Sequence, residues 1–147
     1  MSQYYGYTRT SYFHVIDEAA LRAVIAEVVT SDDEEVYIWK KVDAEGKDIF
    51  AFGCNSDIRG ICPTGYNPYG DNDPEYDCFI EKLQECLAEG DVISIMEVGH
   101  EKLNYLAASA VIVSKHNHKY IDLESDVIIP AMDEVEPNHP ESVRMDY

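Results

Sequence analysis

Closely spaced carboxylates are the side chains of this chain best placed for chemistry. The run comprises Asp71, Asp73, Glu75 and Asp77. Carboxylates at this density can ligate a hard cation such as Ca²⁺. The calcium-loop pattern fails, however, because Tyr76 stands where that loop needs glycine and Lys82 where it needs a bidentate glutamate. Acidic residues also favour the first turn of a helix, so the sequence favours helix capping and a solvated acidic patch over a metal site.

Three histidines suggest a second kind of chemistry. His116 and His118 are two apart, and His100 stands beside Glu101. A zinc site needs three or four converging ligands. Histidines predicted in turns have no fixed geometry, so solvent exposure is the favoured interpretation. A small metal-binding protein that uses His100, His116 and His118 stays as an alternative.

The cysteines do not form a recognisable redox or metal motif. They are Cys54, Cys62, Cys78 and Cys86. Cys78 and Cys86 are two helical turns apart in a predicted helix, about 12 Å, which is too far for a disulfide. Acidic neighbours of Cys78 raise the pKa of a thiol and oppose a nucleophilic role. The sequence therefore predicts free, buried thiols, and we expect no catalytic residue and no cofactor.

The net charge restricts the partners of the protein. The 147 residues carry 29 Asp and Glu against 11 Lys and Arg, a formal net charge of −18. Such a chain repels nucleic acid and anionic lipid, and it lacks the basic stripe of a nucleic-acid-binding protein. No apolar run is long enough to cross a bilayer and the start lacks a signal-peptide pattern. We expect a cytoplasmic protein whose partner offers a basic surface.

Two amphipathic helices and a series of strands must position these groups. Apolar residues at helical spacing predict a helix over 18–29, after Asp17 as its N-cap. A second helix is predicted over 74–88, with Asp73 as its N-cap and Pro74 in its first turn. The predicted strands are 12–16, 35–42, 48–54, 56–62, 91–98, 103–114 and 119–123. A short helix is predicted over 124–132, although Pro130 interrupts it.

The order of these elements predicts the fold class. We expect an α+β domain over residues 1–135, with antiparallel sheet structure and two amphipathic helices on one face. A polar tail follows over 136–147. Residues 12–62 and 74–123 also fit a tandem αβββ pseudo-repeat at the level of pattern. A single α+β sheet without internal symmetry is the alternative.

Four short segments carry a family resemblance. They are Tyr12-Phe13-His14-Val15, Phe52-Gly53-Cys54, Tyr76-Asp77-Cys78-Phe79-Ile80 and Met96-Glu97-Val98-Gly99-His100-Glu101-Lys102-Leu103. Together they resemble a family of small acidic accessory proteins of plasmids, conjugative elements and phages of gut bacteria. The resemblance covers roughly residues 12–135 and transfers no catalytic residue. It implies a setting in which accessory genes often encode inhibitors of host defence, an inference by analogy.

Charge and setting together predict an inhibitor that imitates DNA. Carboxylates four residues apart on a helix are about 6 Å apart, near the spacing of phosphates along one strand. The predicted contact residues form two acidic groups and a tyrosine pair in the loop over 63–73. They are Asp32, Asp33, Glu34 and Glu35; Asp71, Asp73, Glu75, Asp77, Glu81, Glu85 and Glu89; and Tyr66 and Tyr69. The expected partner is a host nuclease such as a CRISPR effector or a restriction enzyme.

A second hypothesis assigns the chain a different partner. In this case it is a non-enzymatic binding module that docks through its tyrosine-rich N-terminus or loop, because tyrosine anchors protein interfaces well. The sequence also leaves a homodimer open. Charge reversal on the second helix separates the two hypotheses, since only the DNA mimic requires that acidity.

Overall fold

The computed structural model describes residues 4–63, 73–101 and 105–138. In chain order the described elements are β1 (Tyr4–Thr10), α1 (Glu18–Ala26), β2 (Val29–Thr30), β3 (Tyr37–Val42), β4 (Asp48–Cys54), β5 (Ile58–Gly60), α2 (Tyr76–Cys86), β6 (Val92–Glu101), β7 (Tyr105–Ser114), β8 (His118–Asp122), a π-helical segment (Leu123–Ile128) and α3 (Ile129–Val135). The expected α+β class with antiparallel sheets is confirmed.

Six strands form one antiparallel sheet in the order β3-β4-β1-β6-β7-β8. The first strand of the chain therefore lies in the middle, where Thr8 pairs with Cys54 on one side and Glu97 on the other. β2 and β5 pair separately as a small second sheet. The two halves of the chain thus share one sheet, joined through β1.

The predicted strand over 12–16 is wrong. That segment makes only isolated bridges, Phe13 with Phe50 and Val15 with Leu87. The strand that pairs within the main sheet is instead β1. Its Thr8 and Thr10 are buried, and both hydroxyl groups form hydrogen bonds. The Thr8 hydroxyl donates to the Ser56 carbonyl at 2.8 Å, and Thr10 accepts from the Phe52 N–H at 3.0 Å. Side-chain bonds of this kind let polar threonines occupy a buried strand.

Both long helices pack on one face of the sheet. α1 buries Leu21 and Ile25, and α2 buries residues of its apolar stripe. Between them and the sheet, Phe52 contacts Phe13 and Phe79 edge to face, with ring centroids about 6 Å apart. The predicted amphipathic faces of both helices are confirmed.

Long-range pairing moves the ends of both helices from their predicted positions. α1 ends at Ala26 because Val29 and Thr30 pair with β5. α2 begins at Tyr76, and its N-cap is Glu75 without a side-chain capping bond, so the prediction of Asp73 as N-cap is wrong. Glu75 exchanges two backbone hydrogen bonds with Ile61, which hold it extended and delay the helix.

The halves differ in their third strand and in the segment after it. β5 lies in the small sheet, whereas β8 is an edge strand of the main sheet. After β8 the chain turns into the π-helical segment, capped by Asp122, whose carboxylate accepts from the Ser125 N–H at 3.0 Å. Pro130 lies at the start of α3, where its missing N–H is tolerated, so the helix continues to Val135. The repeat therefore does not hold in strand pairing, and β2 adds a strand after α1 that has no counterpart after α2.

Candidate protein-binding surfaces

A row of carboxylates lies along the outer face of α2. Asp77, Glu81 and Glu85 are exposed and separated by four residues each, which places neighbours about 6 Å apart along the helix axis. We call these three residues the acidic row. The Asp77 carboxylate accepts a hydrogen bond from the Tyr120 hydroxyl at 2.7 Å. Among the described residues, Glu81 and Glu85 have no ion-pair partner.

The cations nearest α2 are already engaged. Lys82 pairs with Glu27 of α1 at 3.1 Å. The Lys115 ammonium donates to the carbonyls of Gln84 and Leu87 at the end of α2, where the helix dipole favours positive charge. Neither cation neutralises the acidic row, so this side of the molecule keeps an excess of negative charge.

A second acidic group lies on the loop between β2 and β3. Asp32, Asp33, Glu34 and Glu35 are all exposed. The loop is attached to the small sheet, since the Ser31 hydroxyl donates to Asp57 at 2.7 Å and Thr30 donates to the Glu34 carbonyl at 3.0 Å. Beyond β5, Ile61 bridges Glu75 at the start of α2. The small sheet therefore connects the acidic loop to the first turn of α2.

The other predicted contact residues lie outside the acidic row and the acidic loop. Glu75 and Asp73 are exposed at the start of α2. Glu89 is not on the helix, because α2 ends at Cys86; its carboxylate lies 3.0 Å from the His116 ring. Asp71, Tyr66 and Tyr69 lie outside the described residues.

The face of the main sheet opposite the helices differs in composition from the acidic surface of α2. Strand residues alternate between the two faces, and the register fixes which ones point away from the helices. They are Tyr37, Trp39 and Lys41 of β3; Ile49, Ala51 and Gly53 of β4; Tyr7 and Arg9 of β1; Val92, Ser94, Met96, Val98 and His100 of β6; Leu106, Ala108, Ala110 and Ile112 of β7; and Lys119 and Ile121 of β8. We call this set the open face. None of these described positions is acidic.

Two cations of the open face stack on aromatic rings. The Arg9 guanidinium lies 4.0 Å from the centroid of Trp39, and the Lys41 ammonium lies 4.1 Å from that of Tyr12. Such contacts favour a cation at about 0.5–1 kcal/mol when exposed. The Trp39 ring also covers Gly53, where an added Cβ would come within 3.1 Å of it. The open face was not predicted from the sequence, although the alternation Tyr37-Trp39-Lys41 is its local signal.

An unpredicted polar cluster surrounds His14. Its Nε2 lies 2.7 Å from Asp43, in the β3–β4 turn, and its Nδ1 lies 3.1 Å from Asp91, before β6. The backbone N–H of His14 also donates to Asp91. The hydrogen bond with Asp43 and the second carboxylate outweigh partial burial and raise the pKa of His14. The two carboxylates favour the protonated ring, and the cluster ties the segment before α1 to the β3–β4 turn and to the segment before β6.

The predicted alternative of a histidine metal site does not fit the structure. His100 and His118 belong to opposite faces and opposite ends of the main sheet, since His100 pairs with Leu106 and His118 pairs with Val113. His116 pairs with Glu89 instead. In the described part of the chain, no group of three or more His, Cys, Asp or Glu side chains could hold a metal ion.

Three of the cysteines lie in surroundings that disfavour an activated thiol. Cys54 and Cys86 are buried as predicted, whereas Cys62 and Cys78 are only partly buried. Burial is the main cause that raises the pKa of Cys54, Cys78 and Cys86, which disfavours the thiolate needed by a nucleophile.

Comparisons with known proteins add no family or fold relative. No family model, no curated protein and no solved structure matches the chain significantly. Among the helices formed by the described residues, none has the length and apolarity to span a membrane.

Proposed function

We propose that this protein is an inhibitor that occupies the basic nucleic-acid-binding surface of a host defence nuclease, with the acidic row and the acidic loop standing in for DNA phosphates. The observation that carries the proposal is the separation of charge. Carboxylates without a cationic partner line the outside of α2, whereas the described positions of the open face include no acidic residue. An even distribution of the net charge of −18 would serve solubility alone.

The geometry of the acidic row supports this function. Carboxylates spaced about 6 Å apart on a helix approximate the spacing of phosphates along one strand of DNA. The helix backbone that carries the row is fixed, because the same helix buries Phe79, Ile80 and Leu83 in the core. Binding therefore requires no ordering of the backbone, and the entropy cost is limited to the carboxylate side chains.

The class of partner follows from charge complementarity. Surfaces built to bind nucleic acid carry clustered lysine and arginine, and long-range attraction between such a surface and an acidic protein accelerates association. The sequence resemblance to accessory proteins of mobile elements favours a host nuclease, either a CRISPR effector or a restriction enzyme, over other basic partners. In this proposal the protein is not an enzyme and uses no cofactor.

A direct binding measurement tests the proposal. A panel of purified CRISPR effectors and restriction enzymes is titrated with the protein, and the affinity for any binder is measured from about 0.1 to 0.5 M salt. We expect the affinity to fall steeply with salt, because screening shortens the range of the attraction. Bound protein should also block DNA binding by the nuclease. An affinity that does not change with salt contradicts the proposal.

Matched charge reversals locate the contact. The double variant Glu81→Lys/Glu85→Lys should weaken binding by about 10- to 100-fold, since like charges then face the partner. The control Glu45→Lys/Glu134→Lys changes the net charge equally at exposed positions away from α2, and it should weaken binding far less. Equal losses for both pairs would mean that only net charge matters.

A further inference from the structure

We propose that a second copy of this chain docks on the open face, sheet against sheet, to form a two-fold symmetric homodimer. This proposal does not depend on the function proposed above. No helix covers the centre of the open face in the described part of the chain, although the π-helical segment flanks one end, where Leu123 and Glu124 line a cavity with Leu106. The apolar content, the area and the shape of the open face favour a second copy as the occupant.

Large apolar side chains are exposed along the centre of the open face. Tyr7, Tyr37 and Leu106 are each about half exposed, and so are Met96 and Val98. Tyr7, Met96, Val98 and Leu106 come from the neighbouring strands β1, β6 and β7 and form one apolar area, whereas Tyr37 on β3 is separated from it by β4. Contiguous apolar patches larger than a few hundred Å² are unusual on monomeric proteins and mark sites of association.

Charge makes this face the least repulsive approach for two copies. Each chain carries a net charge of −18, so contact between helical sides would bring two acidic rows together. The described positions of the open face are free of carboxylates, and the acidic row lies beyond the layer of helices. Layers pack roughly 10 Å apart, more than the Debye length of about 8 Å at physiological salt. Association through the open face therefore keeps the two acidic rows apart, and the carboxylates nearest this face, Asp122, Glu124 and Asp32, lie at its margins.

The area of the open face suits a stable dimer. Six strands spaced about 4.8 Å apart, with a rise of about 3.3 Å per residue over most of their length, give a face of roughly 600–700 Å². A standard interface buries about 800 Å² on each partner. A second copy would also cover the neighbouring Leu123, which is 42% exposed beside β8, and this addition brings the buried area close to that value.

The shape of the open face is self-complementary. The centre of the sheet lies between β1 and β6, so a two-fold axis parallel to the strands there would oppose β4 to β7 of the second copy. The Trp39 ring leans over Gly53 of β4 and would face the small residue Ala110, which the register places at the same height along the strands. Sheets stacked in this way pack as an aligned sandwich.

The basic residues are compatible with this arrangement. The Arg9 guanidinium leans away from the axis onto Trp39, at 4.0 Å from the ring centroid. Lys41 lies on β3 and Lys119 on β8, the two edge strands. The positive charges of the two copies therefore lie towards the rim, where they stay hydrated.

The test is the mass of the full chain in solution. Sedimentation equilibrium from about 1 to 100 µM should give twice the mass of one chain. The dimer should strengthen several-fold between about 0.05 and 0.5 M salt, because screening reduces the repulsion between two acidic chains. This salt dependence is opposite to that of nuclease binding, so the two proposals fail separately. A chain that stays monomeric at every concentration overturns the dimer.

Two valines on opposite faces give the matched variants. Val98 on the open face and Val42 on the other face are 48% and 59% exposed. Val98→Glu should raise the dissociation constant at least 100-fold, whereas Val42→Glu should leave it within about threefold. Leu106→Glu repeats the first variant, and circular dichroism verifies that each variant folds. If Val42→Glu dissociates the dimer as strongly as Val98→Glu, the proposal fails.

Nucleic acid is the competing occupant, because aromatic and basic side chains together can bind single strands. Fluorescence anisotropy of a labelled oligothymidine tests this directly on the same samples. Saturable binding that Val98→Glu abolishes would assign the open face to nucleic acid and overturn the dimer. No binding at 100 µM protein is the expected result.

Discussion

The two faces of the main sheet contain similar residues with opposite environments. On the helical side, Phe52 and Phe79 are fully buried and contact each other edge to face. On the open face, Tyr37 and Trp39 are 49% and 39% exposed. The helical side carries unpaired carboxylates on its outer surface, whereas the described positions of the open face carry none.

This difference indicates that the helical side of the sheet stabilises the fold and that the open face is available for association. The helices and one face of the sheet form a single core cluster that includes Leu21, Phe52 and Leu83. Residues of the open face contribute little to it, so their apolar character requires another explanation. Four sets of variants, ordered by expected effect, test the contrast.

The largest expected effect is the difference in stability loss between a buried aromatic residue, Phe79, and one on the open face, Trp39. Phe79→Ala leaves a cavity in the core and should lower the free energy of unfolding by about 3–5 kcal/mol. Trp39→Ala removes a half-exposed ring and should lower it by about 1 kcal/mol. Urea denaturation at a protein concentration below the dissociation constant of the proposed dimer measures both. Similar losses would mean that the open face supports the fold as much as the core does.

The next effect concerns Glu97, a carboxylate on the helical face of β6. Burial, with a smaller contribution from Asp57, raises the pKa of Glu97 to about 7. The folded protein holds this proton more tightly than the unfolded chain, so stability falls as the pH rises from about 4.5 to 7. Glu97→Gln should therefore stabilise the protein at pH 8, on the order of 1–2 kcal/mol after allowance for solvent screening.

Thermal unfolding between pH 4.5 and 8 measures the effect at Glu97. The difference between Glu97→Gln and the unchanged protein should grow with pH and then level off above 7. The exposed variant Glu81→Gln is the control and should show a smaller change over that range. A difference for Glu97→Gln that is independent of pH would contradict the raised pKa.

A smaller effect is expected at the His14 cluster. The hydrogen bond with Asp43 raises the pKa of His14 above 6.5, so its stabilising contribution is complete below that pH and is lost as the pH rises through the folded value. His14 also lowers the pKa of Asp43, so the contribution declines again in acid. His14→Gln should lower the melting temperature at pH 6 and should lower it much less at pH 9.

The same melting temperatures decide whether His14 is charged in the folded state. Asp43→Asn is the companion variant and should reproduce the pH profile of His14→Gln. Equal loss at pH 6 and pH 9 in both variants would show that the cluster acts through packing alone.

The smallest effect is expected on the surface of the helical side. Lys82 pairs with Glu27 at 3.1 Å, but both side chains are partly exposed. Exposed pairs of this kind are screened by solvent and contribute little, so Lys82→Ala should change the free energy of unfolding only slightly. It also enlarges the negative surface, so binding to the proposed nuclease partner should tighten slightly. A loss comparable to that of Phe79→Ala would show that the pair is structural.

Local patterns in the sequence predicted the helical side well. The apolar stripes of α1 and α2 repeat within single segments, so they appear without knowledge of the fold. The exposed carboxylates of α2 follow from the same periodicity, since they occupy its polar face. The apolar stripes of the helices and the acidic row depend only on local sequence, so both could be predicted.

Features set by distant pairing could not be predicted in this way. The start of α2 depends on Ile61, which holds Glu75 extended, and a local capping pattern cannot reveal that contact. The open face depends on which strands are neighbours, because a face exists only once six strands share a sheet. His14 meets Asp43 and Asp91 through the same long-range pairing.

The central position of β1 has a consequence for biosynthesis. Its residues are translated before both neighbours, yet Thr8 must wait for Cys54 and then for Glu97 to leave the ribosome. Contacts this far apart in sequence slow folding. Until β6 emerges, the nascent first half has an unpaired strand edge, which is the kind of surface that chaperones protect.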